Sequence, residues 1–439
     1  MIILIFCIKH DILYKNMGEI SIDIKEKNIF KRIIEENWDN FKEVHPEYER
    51  KQYNTVINKM LKCGDEFGGH SEYVCSCCGE DTRSVPFSCK SMFCLSCTKV
   101  YVDELVTQIS KMLHPGMRYR HVVLTVPEQL RIYFYEDRLK GELIAQLIKE
   151  GHKCLEEALS EVFRRKVKIG TIIVLQTHGR SGHYNPHIHI IMTNGGIDIE
   201  KQEWKELGFI PFEKLHTKWQ YYLTNMMKKE FKTKEMKDLV NELYRKYPEG
   251  FVANISKGRA PKKAKGLAMY LAKYVASPPI SVNRIIKYDG ESVTYWYNDH
   301  ETKRPKKETV DVLTFVGRMV QHILPKGFQR VRYYGLQSVK TYKKWKEIIV
   351  EGIKGFIGNV KDVYEVVKSV GYRERFKKGS GKDPFKCRYC GGEMILWKIW
   401  HPRYGVIYEK SKEPREKEID RGSRHTIWTT TENVQLSMF

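Results

Sequence analysis

The chain of 439 residues has no apolar run of membrane-spanning length. Its one hydrophobic start, Met1 to Ile8, falls far short of the roughly 20 residues that cross a bilayer, and no small-residue cleavage site follows it. A cytoplasmic protein without membrane contact is expected, with Met17 as an alternative start. The glycine-rich loop that cradles nucleotide phosphates is missing, which excludes an ATPase engine of the usual kind. Internal repeats and low-complexity tracts are missing too. Acidic residues are in deficit: 54 Asp and Glu face 76 Lys and Arg, a formal charge of +22. With 41% hydrophobic and 12% aromatic residues, the chain folds with real cores and offers rings for base stacking between cations. A polyanion, nucleic acid above all, is the partner this balance favours.

Eleven cysteines are present, and seven of them (Cys63, Cys75, Cys77, Cys78, Cys89, Cys94, Cys97) crowd one short segment. Paired Cys-x-x-Cys spacing signals metal rather than disulfide use. Cys75-x-x-Cys78 and Cys94-x-x-Cys97 read as two knuckles of one zinc ribbon. Cys63, Cys89 and His70 are left over for a second zinc, and Cys77 is a bystander. A half knuckle, Cys387-x-x-Cys390, follows a Gly-Ser-Gly linker at Gly379 to Gly381.

Between these segments, strands and helices mix with hairpin connections. Thr171 to Thr177 and Pro186 to Met192 form a predicted hairpin, and Arg120 to Val126 a third strand. Alternation places His187 and His189 on one strand face, about 7 Å apart, where two imidazoles can chelate one divalent ion. Gln176 and His178 face the same side. Helices are predicted over 28–61, broken at Pro46, and over 102–113, 136–163, 212–231, 235–247, 264–276, 310–323, 339–349 and 360–370. Short strands are predicted at 251–255 and 329–334, with a hairpin over 284–297 turning at Asp289-Gly290. An α+β fold with a largely antiparallel sheet follows. The helix over 264–276 carries Tyr270 and Tyr274 on one face, with Lys273 between them and the cations Lys262, Lys263 and Lys265 ahead of it.

Ser88-Cys89-Lys90, Phe93-Cys94, Asn185-Pro186-His187-Ile188-His189, Tyr270-Leu271-Ala272-Lys273-Tyr274 and the run Gln321 to Phe328 occur in one order from Cys63 to Gly335. Together they resemble the two-tyrosine rolling-circle transposases of the insertion-sequence ninety-one type, within the wider HUH endonucleases. The resemblance implies an HUH-type antiparallel sheet flanked by helices and preceded by a small zinc-ribbon-like domain. Segments 1–60 (helical), 61–100 (zinc-binding), 101–340 (catalytic) and 341–439 (basic, with the knuckle) are expected. It further implies Mg²⁺ or Mn²⁺ on His187, His189 and a third ligand at Gln176, where the family often has histidine, with His178 as fallback. Tyr270 and Tyr274 would be the nucleophiles that nick single-stranded DNA through a 5′-phosphotyrosine, with Lys273 beside them. Lys262, Lys263 and Lys265 would hold the DNA backbone. Cys75, Cys78, Cys94, Cys97, Cys63 and Cys89 would hold structural Zn²⁺. Element ends and target DNA, a host helicase and the bacterial nucleoid complete the implied setting. The competing readings are a plasmid relaxase or replication initiator, a non-catalytic zinc-dependent regulator, and a zinc hydrolase, which would lack its carboxylate base.

Overall fold

A computed structural model describes residues 28–410, apart from 115, 209–211, 256–265, 267, 271–277, 300–301, 303 and 354–369. Two compact units emerge from the contacts. Among the described residues, one comprises those from 28–68 and 86–385; the other comprises 69–85 and 386–410.

The larger unit opens with helices α1 (Ile29–Val44) and α2 (Lys51–Leu61), separated at Pro46. Phe30, Ile33, Ile34, Trp38 and Phe41 recur at helical spacing on α1, and all are buried. In the smaller unit lie β1 (His70–Cys75) and β2 (Thr82–Pro86). Then come α3 (Thr98–Met112), β3 (Tyr119–Thr125), α4 (Glu128–Glu136), α5 (Glu142–Phe163), β4 (Val167–Lys168), β5 (Gly170–His178), β6 (Tyr184–Thr193), β7 (Gly195–Asp198) and β8 (Trp204–Glu206). Helices α6 (Phe212–Glu230) and α7 (Lys234–Lys246) lead to β9 (Ala253–Ile255). A three-stranded sheet of β10 (Ile285–Tyr288), β11 (Ser292–Asn298) and β12 (Pro305–Asp311) precedes α8 (Val312–Val320), which Asp311 caps through the amides of Leu313 and Thr314. The unit ends with β13 (Val331–Gly335), α9 (Tyr342–Ile353) and α10 (Tyr372–Ser380). Strands β14 (Met394–His401) and β15 (Gly405–Glu409) return to the smaller unit.

The central sheet has the order β13-β5-β6-β3-β9, with every neighbouring pair antiparallel. Alternation along β3, β5 and β6 decides what each face meets. Val122, Leu124, Ile173, Leu175, Ile188 and Ile190 point into one core, shared with α4 to α7. Ile172, Val174 and Ile191 point the other way, into a core with Leu105, Val106 and Ile109 of α3 and Trp345 and Ile349 of α9. The sheet therefore carries an apolar core on each face.

Several elements differ from the sequence expectation. The helix expected over 136–163 begins only at Glu142, as α5, because Gly141 at φ +75° breaks the helical path ahead of it, and α4 is a further helix that was not expected. Strand β12 and the β14–β15 hairpin are additions, and the helix expected from Val339 begins at Tyr342. The stretch expected to be helical over 360–370 falls outside the described residues but for its last position, which is not helical. Among the described residues, no helix is long and apolar enough to cross a membrane.

Candidate metal and tyrosine site

Antiparallel register places Gln176 directly opposite His187, and Val174 opposite His189. Opposed residues share a face, so Gln176, His187 and His189 converge on the face of the sheet that carries Val174 and Ile191. The His187 Nδ1–H donates to the backbone carbonyl of Asn185 (2.8 Å), which leaves the Nε2 lone pair directed inward. It lies 3.0 Å from Gln176 Oε1, and His189 Nε2 lies 2.8 Å from the same oxygen.

Strand β3 adds a residue the sequence pattern did not single out. His121 opposes Ile191, so it is a diagonal neighbour of His189, and the two rings stack with centroids 5.2 Å apart. His121 Nε2 is 3.0 Å from His189 Nδ1, and His121 Nδ1 is 2.8 Å from the Tyr270 hydroxyl. When His189 shares the tautomer of His187, its Nδ1–H donates to His121. The His121 Nδ1–H then donates to Tyr270 Oη, and both ligand-type Nε2 atoms present lone pairs. A lone histidine in a strand of alternating apolar residues reads as core. Only the pairing of β3 with β6, which sequence does not display, gives His121 its place.

Burial keeps these rings neutral. It lowers the His187 pKa, and it pushes His189 to about 2 and His121 to about 4. Neutral imidazoles are ready ligands without first losing a proton. In an octahedral shell at about 2.1 Å, neighbouring ligands stand about 3.0 Å apart. The spacing of Gln176 Oε1 from the two imidazole nitrogens therefore suits a shared divalent ion.

His178 lies past an irregularity in the β5–β6 register; its Nε2 is 3.0 Å from Gln176 Nε2. Its ring packs edge-on against His322, which accepts from Thr177 Oγ1 and donates to the Gly182 carbonyl. Both histidines line a cavity of about 570 Å³, together with Lys90, Phe93, Tyr101 and Arg330. A cavity with cations and rings on its walls suits a phosphate and a base. Tyr274, Lys273, Lys262, Lys263 and Lys265 lie outside the described residues.

The cysteines form two clusters of four. Cys63, Cys89, Cys94 and Cys97 meet in the larger unit, with Cys97 Sγ 3.3 Å from Cys63 Sγ and 3.6 Å from Cys89 Sγ. Cys75 and Cys78 meet Cys387 and Cys390 in the smaller one. This corrects the single ribbon of Cys75, Cys78, Cys94 and Cys97. Cys77 is exposed and belongs to neither cluster.

Residues 170–344 match the family described as a putative transposase (Y2_Tnp), and residues 33–126 match the transposase zinc-binding domain of the IS91 type. The transposase for insertion sequence element IS801 of Pseudomonas savastanoi pv. phaseolicola is 27% identical over 362 residues, covering 77% of this chain and 82% of the relative. The putative transposase y4qJ of Sinorhizobium fredii is 27% identical over 354 residues, covering 76% and 85%. No solved structure matches the chain. With a transposase zinc-binding match followed by a transposase match, together spanning more than half of the chain, and relatives aligned along most of its length, the chain belongs to the IS91/IS801 family of insertion-sequence transposases.

Proposed function

We propose that this transposase cuts and rejoins single-stranded DNA by transferring a DNA phosphate to tyrosine, with a divalent metal on His187, His189 and Gln176. The observation that carries the reading is one connected cluster. Gln176 Oε1 lies within 3.0 Å of both imidazole Nε2 atoms, and the Tyr270 hydroxyl is joined to His189 through the single ring of His121. Bound there, Mg²⁺ or Mn²⁺ would polarise the scissile phosphate and offset charge on the departing oxygen.

The remaining roles fall to the chain. Tyr270 Oη attacks phosphorus, a tyrosine–phosphorus bond forms, and the bond from phosphorus to the 3′ oxygen breaks. The phenol proton leaves to solvent and the 3′ oxygen takes one up, so a 5′-phosphotyrosine and a free 3′ hydroxyl result. That ester conserves the phosphodiester energy, and attack by another 3′ hydroxyl restores the tyrosine. His121 orients Tyr270 and holds the tautomer of His189, as partners behind metal ligands commonly do. The cavity beside His178 and His322 would receive the strand through Lys90, Arg330 and its rings. Tyr274 would supply a second transfer, with Lys273 and Lys262, Lys263 and Lys265 along the DNA path. Cys63, Cys89, Cys94 and Cys97, all inside the matched zinc-binding segment, would hold a structural zinc.

The test is incubation of the purified protein with labelled single-stranded element ends and Mg²⁺ or Mn²⁺, followed by mass spectrometry of the DNA-linked peptide. An adduct on Tyr270 or Tyr274 is expected, and the double Tyr→Phe variant should form none. An adduct elsewhere, or nicking without any adduct, would overturn the proposal.

A further inference from the structure

The smaller unit presents a difficulty of stability. Its described part has about 40 residues, and its buried apolar side chains are few: Cys75, Cys387, Met394 and Ile399. Modules of that size rarely hold together on apolar burial alone and use a metal or disulfides instead. We propose that Cys75, Cys78, Cys387 and Cys390 hold a second structural zinc ion, which fastens residues 386–410 to residues 69–85 as one discontinuous module.

The geometry is that of a closed thiolate site. Sulfurs around a tetrahedral zinc at about 2.3 Å stand about 3.8 Å apart. Here Cys75 and Cys390 are 3.5 Å apart, Cys78 and Cys387 are 3.6 Å apart, and all four sulfurs lie within 4.8 Å of one another. These separations are far beyond the roughly 2.05 Å of a disulfide.

The two halves repeat one turn. Each runs Cys-x-x-Cys-Gly, with the glycine at φ +74° (Gly79) or +71° (Gly391). Each glycine amide donates to the carbonyl of the first cysteine at 3.2 Å. Backbone N–H groups aim at the sulfurs: Cys77 at Cys75 Sγ (3.4 Å), Tyr389 and Cys390 at Cys387 Sγ (3.3 and 3.4 Å), Gly392 at Cys390 Sγ (3.4 Å). Amides directed at sulfur favour thiolate, the form that binds metal. A Cβ at Gly392 would meet Cys390 Sγ at 3.2 Å and Cys75 Sγ at 3.3 Å, so glycine lets the chain pass this close.

The surroundings join the halves independently. Strand β14 pairs with β1 from His70↔Trp400 to Cys75↔Met394. The buried Asp81 carboxylate accepts from the Arg388 amide (2.7 Å) and from its guanidinium (2.8 and 3.1 Å), locking the second knuckle onto the first. Cys387 and Cys390 lie outside both matched segments, and the zinc-binding segment contains only half of this site.

The experiment is metal analysis of the full-length protein, expected to give two zinc ions per chain. Cys387→Ser/Cys390→Ser should retain one, Cys75→Ser/Cys78→Ser should retain one, and the fourfold variant should also retain one, because the same ion is lost each time. A Cys387→Ser/Cys390→Ser protein with two ions, or a wild type with one, would overturn the proposal. Should the variants be insoluble, alkylation of the native wild type during slow chelation decides. Cys75, Cys78, Cys387 and Cys390 should become reactive in one phase, separate from Cys63, Cys89, Cys94 and Cys97. Labelling of Cys387 and Cys390 in step with Cys94 and Cys97, or before any zinc leaves, would refute it.

Discussion

Acid should destabilise the larger unit, and the two imidazoles of His114 and His322 contribute a part of the effect that can be isolated. Both are buried; His114 Nε2 donates to the Leu336 carbonyl (2.8 Å) and His322 Nε2 to that of Gly182 (2.9 Å). Burial lowers each pKa from 6.5 to about 4. Between those values the unfolded chain binds a proton on each ring and the native protein does not, so stability is intact above pH 6.5 and falls as pH drops toward 4. Each ring contributes a slope of about 1.4 kcal/mol per pH unit, and the pair should remove about 4 kcal/mol between pH 6 and pH 4.5. That is a large share of the roughly 5–15 kcal/mol a folded protein has. The assay is urea unfolding followed by tryptophan fluorescence at a series of pH values, for wild type and His322→Gln. The glutamine amide can donate to Gly182 and does not titrate, so the variant should lose about 1.4 kcal/mol per pH unit of slope. Thiolate sites weaken in acid in both proteins and cancel in the comparison. Equal slopes for the two proteins would refute the reasoning.

His189→Ala should reduce metal-dependent nicking by at least 10²-fold with DNA affinity nearly unchanged, read by single-turnover cleavage beside filter binding. Gln176→His should keep activity and bind Mn²⁺ more tightly by calorimetry, since imidazole is the better donor for transition metals. His121→Phe, which removes the ring joining Tyr270 to His189, should lower the rate of adduct formation by about 10²-fold and change metal affinity less; an unchanged rate would remove its positioning role. Gly335→Ala should destabilise the protein by about 1–3 kcal/mol or more in thermal melts, because Gly335 sits at φ +58° and a Cβ there collides with the Ile169 carbonyl.

The hairpin of β5 and β6 was legible because its alternation and turn residues are local. That alternation is enough to put Gln176, His187 and His189 on one face. What sequence concealed was pairing at a distance. His121 looks like one more inward residue until β3 lies beside β6, and Met394 to His401 has no visible partner until β1 is set against it. The cysteine clusters show the same limit: spacing identifies a knuckle, while topology chooses which two knuckles share a metal. Strand β12 was hidden by composition, since Pro305-Lys306-Lys307-Glu308 suits the exposed edge it occupies.

The smaller unit also fixes an order of events during synthesis. Cys78 and Cys387 are 309 positions apart. At roughly 5–20 residues per second the ribosome needs about 15–60 s to travel between them. Throughout that interval the first knuckle exists with half its ligands, and β1 has no β14 to pair with. A polypeptide ending early, through a frameshift or a premature stop, never receives the second pair. The module thus reports that translation passed Cys390, and a product ending before it is left with two uncommitted thiols and an unpaired strand edge, the features that expose a chain to oxidation and proteolysis.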